Sequence, residues 1–209
     1  MSEPTAVVRE MTLDDCAAVA ALRVGGWRGA YRGLIPQSYL DALSVEQDAE
    51  RHRARLADRD GTVVNLVAEE DGRLTGWACH GPYRDGELRT EDAELYALYV
   101  DPGRQGGGVG RALLADTVRR CTAAGHERVF LWVLEGNARA RRFYERAGFR
   151  ADGAEEPFEA HGVAVPELRY VRDLRDGSAF PDPPPAMDPP PAMDPPPFTG
   201  RPPAMDPPA

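Results

Sequence analysis

One stretch limits the fold more than any other. Leu98-Tyr99-Val100 is closed by Asp101-Pro102, followed by Gly103-Arg104-Gln105-Gly106-Gly107-Gly108-Val109-Gly110 and then Arg111-Ala112-Leu113-Leu114. It reads as a strand, a glycine-rich turn and a helix. Glycines let the backbone approach an anion and take up φ values that other residues resist. The helix start then offers unpaired amides and the positive end of its dipole. Such a unit suits a phosphate-bearing ligand, although the same turn can also be purely structural. A P-loop needs a lysine after its glycines. This chain has no lysine, and all 25 of its basic residues are arginine. The dinucleotide fingerprint needs a third glycine where Arg111 or Leu113 stands, so it fails too. What remains is Gln105-x-x-Gly108-x-Gly110.

Around this unit the chain alternates strand and helix patterns. Strands are expected at Ala6 to Arg9, Thr62 to Glu69, Arg73 to Cys79, Leu95 to Val100, Val129 to Leu134, Arg150 to Ala154 and Val163 to Val171. Helices are expected after Thr12-Leu13-Asp14-Asp15, running through Val19, Leu22 and Trp27, and at Ser38 to Leu43, Val45 to Leu56, Gly110 to Ala124 and Asn137 to Ala147. Asp71-Gly72 marks a hairpin turn. The fold class is therefore α/β, a mixed twisted sheet with an antiparallel half and a parallel crossover, flanked by helices. Residues 1–175 form the expected domain. Residues 176–209 carry a proline-rich hexapeptide repeat, Asp-Pro-Pro-Pro-Ala-Met, expected to be disordered and partly polyproline II.

Charge and composition exclude several functions. The net charge is -9. The tail after Gly177 holds four aspartates against one arginine, so about -6 belongs to the domain, a poor footprint for nucleic acid. No apolar run approaches the ~18–20 residues of a membrane span. The N-terminus lacks the apolar core of a secretory signal. Three dispersed cysteines, Cys16, Cys79 and Cys121, argue against a disulfide framework, so a reduced, cytoplasmic protein is expected. Four histidines, His52, His80, His126 and His161, show no metal-ligand spacing, and no metal is expected.

A second motif lies about thirty residues beyond the first: Asn137-x-x-Ala140-x-x-Phe143-Tyr144-x-x-x-Gly148-Phe149. Together the two resemble the paired signatures of the GNAT N-acetyltransferases over most of residues 6–172. Val8-Arg9-x-x-Thr12-x-x-Asp15 and Trp27 with Ala30-Tyr31-Arg32-Gly33-Leu34-Ile35-Pro36 also resemble one bacterial branch of that family. The resemblance implies transfer of an acetyl group from acetyl-CoA to a primary amine by direct attack in a ternary complex. A non-catalytic acyl-CoA-binding module on the same fold is the alternative.

The resemblance also implies roles. Leu98, Tyr99 and Val100 would face the pantetheine arm. Gln105, Gly106, Gly107, Gly108, Val109, Gly110 and Arg111 would take the diphosphate through backbone amides. Asn137 would touch the cofactor, a helix cap being its other reading. Tyr144 would protonate the departing thiolate, or else simply pack beneath the cofactor. Glu94 is the candidate base, placed by strand alternation on one face with Tyr96 and Leu98; His80 and Glu69 are weaker candidates. Trp27, Tyr31 and Tyr96 would wall the acceptor pocket, with Trp27 to Pro36 as a loop between helices. The acceptor, whether small molecule or peptide, stays open: aminoglycosides, polyamines, small amines, amino acids and protein N-termini all fit. Dimers are common in the family, so a homodimer is expected as a possibility.

Overall fold

The computed structural model describes residues 6–58, 60–85 and 88–175, so the proline-rich repeat lies outside the described residues. Seven strands form one mixed sheet. They are β1 (Val7–Glu10), β2 (Val64–Glu70), β3 (Arg73–Asp85), β4 (Leu88–Val100), β5 (Arg128–Leu134), β6 (Arg150–Ala160) and β7 (Val163–Asp173), in the spatial order β1-β2-β3-β4-β5-β7-β6. Among the described residues five α-helices accompany them: α1 (Cys16–Ala30), α2 (Gln37–Asp41), α3 (Val45–Ala57), α4 (Val109–Ala123) and α5 (Ala138–Arg146). No described helix is long and apolar enough to cross a membrane.

Two strands run further than the sequence pattern suggests. β3 continues through His80-Gly81-Pro82, and β4 begins at Leu88 rather than Leu95. Pro82 reads as a breaker because it has no amide to give a ladder. It is tolerated because β2 ends opposite His80, leaving that edge of β3 without a β2 neighbour. β6 likewise extends to Ala160; most of its residues are exposed, which hides the alternation.

Helices cover both faces. α4 and α5 cover a core of Leu66, Leu113, Leu114, Val129, Leu131, Phe149 and Tyr170. The other face has two clusters. Val19, Val67 and Trp77 lie under α1 and α3, and Trp27, Leu40, Leu134, Phe158 and Val165 lie under α1 and α2. Each such large apolar side chain contributes about 1.5–3 kcal/mol by leaving water. A buried ion pair docks α3 on α1, with Arg23 Nη1 donating to Asp48 Oδ1 at 2.9 Å.

α1 runs through Trp27, as the spacing of Val19, Leu22 and Trp27 suggests, but it continues to Ala30, so the connection is residues 31–36 and does not start at Trp27. The glycines explain this. A Cβ on Gly26 would stand 2.8 Å from Tyr99 Cδ1, so only glycine lets α1 settle this close to β4. That packing offsets the roughly 1 kcal/mol that a glycine costs within a helix.

The decisive feature is how β4 meets its neighbours. It stays beside β3 to its end, where Val100 pairs with Gly76. β5 stays beside β7 to its end, where Leu134 pairs with Glu167. Between β4 and β5 the parallel register holds only at Ala93–Val129 and Glu94–Phe130. Beyond Glu94 the two halves of the sheet part, and the edge of β4 is left facing a cleft.

Candidate active site

The glycine turn sits at the open end of this cleft. Asp101 starts it: its Oδ1 accepts from Gly103 N at 2.8 Å, and its own N donates to Thr75 O at 2.9 Å. Gly106 (φ 91°) and Gly108 (φ 86°) hold left-handed backbone that a side chain would strain. A Cβ at either would meet nothing within 4 Å, so the backbone there is open to a ligand. Gly108 is the N-cap of α4 and brings no side chain to close its end. The first-turn amides of a helix lack intrahelical partners. Gly110 works differently: a Cβ would lie 3.3 Å from Val100 Cγ2 and 3.5 Å from Phe143 Cζ, so its bareness brings α4 close to β4 and α5. The amide of Gly107 donates to Arg104 O at 3.3 Å, so it is engaged within the turn. The open turn, the helix start and the bare edge of β4 together fit a diphosphate followed by an extended arm, as coenzyme A requires.

A β-bulge changes the reading of β4. Cys79 pairs with Ala97 and His80 with Leu95, so Tyr96 is an extra residue on β4. The alternation therefore slips. Ala93, Leu95, Leu98 and Val100 face α4 and α5, whereas Tyr96, Ala97 and Tyr99 face α1. Glu94 and Tyr96 share a face as expected, but Leu98 is on the opposite one. Strand alternation cannot reveal a bulge, because the inserted residue looks like its neighbours.

Glu94 lies at the apex of the cleft and is 3% exposed. Both its oxygens are engaged: Arg84 Nη2 donates to Oε1 at 2.7 Å, and Arg84 Nε and backbone N donate to Oε2 at 3.2 and 3.1 Å. The same guanidinium lies 4.0 Å over the Tyr96 ring. The Tyr96 hydroxyl donates to Pro82 O at 2.6 Å.

The weaker base candidates fall elsewhere. His80 pairs with Leu95, on the α4 face. Burial there, with the nearby Arg120 adding to it, pushes its imidazole down to about 4. Glu69 lies two strands from β4 and accepts from Arg9 Nε and Nη2 at 3.1 and 3.0 Å. That arginine also bonds Asp15, whose carboxyl it holds down to about 2. The sequence feature Arg9-x-x-Thr12-x-x-Asp15 is thus a clasp between β1, β2 and the start of α1.

Tyr144 is half-buried on α5, between Phe143 and Phe149 at ring distances of 5.2 and 5.9 Å. Burial raises its hydroxyl well above the ordinary tyrosine value, with Tyr99 contributing. It therefore stays protonated at any working pH. Asn137 caps α5: its Oδ1 accepts from Ala140 N at 3.1 Å.

On the α1 side, Tyr31 is half-buried and packs edge-on against Trp27, with ring centroids 5.0 Å apart. Trp27 itself is fully buried, so it supports the cleft rather than walling it. Tyr99 stacks on Trp77 at 6.0 Å and 8°. Burial, then the mutual proximity of Tyr31 and Tyr99, raises the Tyr31 phenol, and Glu167 and Tyr144 add to it. One residue that the sequence reading did not single out is therefore Glu167 on β7. It looks like one more polar residue in an edge hairpin, and only the register with Leu134 brings it to the cleft.

The acetyltransferase (GNAT) family pattern matches residues 27–149. The uncharacterized N-acetyltransferase YuaI of Bacillus subtilis is 34% identical over 161 residues, covering 77% of this chain and 89% of that protein. The yncA protein of Salmonella typhimurium, solved with its cofactor acetyl-CoA, superposes with a TM-score of 0.64 at 25% identity, covering 85% of this chain and 98% of that one. A ribosomal-protein-alanine N-acetyltransferase from Brucella melitensis has the same fold, with a TM-score of 0.64 at 24% identity over 80% of this chain and 99% of its own. The parted strands, the glycine turn and these likenesses agree: the chain belongs to the GNAT acetyltransferase family.

Proposed function

We propose that this acetyltransferase moves the acetyl group of acetyl-CoA directly to a primary amine, with both held in the cleft between β4 and β5. The observation that carries the reading is the parting of these strands beside the open backbone of the glycine turn at Gly106 and Gly108. Acetyl-CoA, when bound, supplies the activated acyl carbon and a thiolate leaving group.

The chain's own residues do the rest. Backbone at Gln105, Gly106, Gly108, Val109, Gly110 and Arg111 binds the diphosphate, and the α4 dipole favours its charge. The free edge of β4 at Leu98, Tyr99 and Val100 aligns the arm, with Asn137 alongside. Holding amine and acyl carbon together replaces a chance encounter by an effectively intramolecular one. Tyr144 keeps its proton at the hydroxyl and delivers it to the sulfur, a form of help typically worth ~10²–10⁴-fold. Glu94, fixed by Arg84, is the group that receives the ammonium's proton through water. Tyr31 and Tyr96 border the acceptor. Arg84 and Pro82 hold Tyr96, and Trp27 backs Tyr31. The free, buried cysteines fit a reduced, cytoplasmic enzyme. The exposed edge strand β6 offers a surface for a second copy.

The test is thiol release from acetyl-CoA with a panel of primary amines, run beside thermal stabilisation by acetyl-CoA. Amine-dependent release above hydrolysis is expected. Stabilisation without release from any amine would leave a binding module.

A further inference from the structure

We infer that Glu70 is a positioning residue for the glycine turn. Acting through Arg104, it holds the backbone around Gly106 and Gly108 in the shape that takes the diphosphate. The inference rests on the coenzyme A reading above and adds two side chains to it.

Three successive glycines, Gly106 to Gly108, separate the start of the turn from α4. Glycine loses more conformational freedom on ordering than any other residue. A turn that had to order itself around its ligand would bind weakly. The structure ties it instead to the β2–β3 hairpin at three points. Thr75 is the extra residue of a bulge on β3, since Ala68 pairs with Gly76 and Glu69 with Leu74. Its carbonyl accepts from Asp101 N at 2.9 Å, which fixes the first residue of the turn. At the far end α4 rests on Gly76, where a Cβ would stand 2.7 Å from Leu113 Cδ1 and 2.8 Å from Val109 Cγ1. Between these two points Arg104 Nε lies 3.6 Å from Glu70 Oε2.

Arg104 links that ion pair to the glycines. Its N donates to Asp101 O at 2.8 Å, and its O accepts from Gly107 N at 3.3 Å. Gly107 stands between the left-handed Gly106 and Gly108, so fixing it constrains both.

The burial of Glu70 gives the link its direction. Leu66 and Ala68 belong to the core under α4, and alternation along β2 puts Glu70 on that side, away from the Arg9 clasp at Glu69. Glu70 is 7% exposed, and its Oε2 has no hydrogen-bond partner among the described residues. A carboxylate so placed is costly without an opposite charge. Arg73 stands opposite it in the register but is exposed, and Arg104 is the charge that faces it. The buried carboxylate therefore draws Arg104 toward β2, and the Arg104 carbonyl holds Gly107 in place.

The experiment compares wild type, Glu70→Gln, Arg104→Met and the double variant as full chains. Coenzyme A affinity is read by titration, and Gly107 amide exchange by NMR in the ligand-free protein. Glu70→Gln keeps the size of the side chain and removes its charge. Loss of a negative charge beside an anion site would by itself tighten coenzyme A, so weaker binding reports the lost attachment. Affinity falls roughly two- to thirty-fold, the range for a residue that acts without touching the ligand. The Gly107 amide exchanges faster. In the Arg104→Met background the same change no longer weakens binding; if Arg104→Met does not fold, Arg104→Gln is the background. Unchanged or tighter binding in Glu70→Gln, unchanged exchange at Gly107, or an equal loss in both backgrounds overturns the inference and leaves the coenzyme A reading standing. A wild type that ignores coenzyme A removes that reading, and Glu70 with it.

Discussion

The two sides of the cleft are built by different means. The side we assign to the cofactor is mostly main chain: left-handed glycines at 106 and 108, the start of α4 and a bare edge of β4. The side we assign to the acceptor is side chains brought together from separate elements: Tyr31 after α1, Tyr96 and Tyr99 from β4 and Arg84 from β3. A main-chain site binds what all members of a fold share, because it depends on glycine and on helix geometry. A side-chain site can be rewritten one residue at a time, and that is where the choice of acceptor resides.

The sharpest break in this comparison is at Tyr144, which stands between the two sides. Tyr144→Phe should lower turnover by ~10²–10⁴-fold while coenzyme A affinity stays unchanged. Because burial keeps the phenol protonated, no alkaline loss of activity should come from this group. Equal turnover in the variant would reduce Tyr144 to packing. Next in size is His80, which the structure sets under α4 rather than at the acceptor. Its folded value, about 4, lies below the ordinary 6.5, so the unfolded chain binds more protons between those values. The associated stability is fully present above about pH 6.5 and is lost as pH falls toward 4, a change of roughly 3 kcal/mol. Denaturation of His80→Gln across that window should show this loss removed, with acceptor KM untouched. A changed KM would bring His80 back to the acceptor side.

Gly108→Val is the direct test of the main-chain side. Its φ of 86° is strained for a β-branched residue, and the new side chain stands where the ligand approaches. Coenzyme A affinity should fall about ten- to a hundred-fold, as for the loss of a charge-assisted hydrogen bond. Isothermal titration would read this, and retained affinity would contradict the turn's role.

How much of this was legible from the sequence follows the same division. Gln105 to Gly110 and Asn137 to Phe149 could be read because they are contiguous and use residues whose backbone behaviour is distinctive. Element types and their succession along the chain followed from local patterns. The bulge at Tyr96 was not legible, and it moved Leu98 to the opposite face from Glu94. The helical spacing of Val19, Leu22 and Trp27 was legible, but the continuation of α1 to Ala30 was not, because it depends on the close approach of Gly26 to Tyr99. Glu167 stayed hidden because its place depends on pairing with a strand more than thirty residues away. Side-chain convergence across strands is set by register, and a single sequence holds register only weakly.

The smallest effect concerns Asn137, where a main-chain and a side-chain role overlap. Its Oδ1 caps α5 through Ala140 N, so Asn137→Ala should cost ~1 kcal/mol of stability whatever else it does. Asn137→Ser separates the roles, because serine can still cap a helix but reaches less far. Melting temperatures and coenzyme A affinities of the three proteins decide the matter. If Ser restores the melting temperature yet leaves affinity as low as Ala, the amide touches the cofactor and the start of α5 belongs to the binding wall. If all three proteins bind coenzyme A alike, Asn137 is a cap alone. The cofactor side is then main chain from the glycine turn to β4, with no side-chain contact from α5 except the acid.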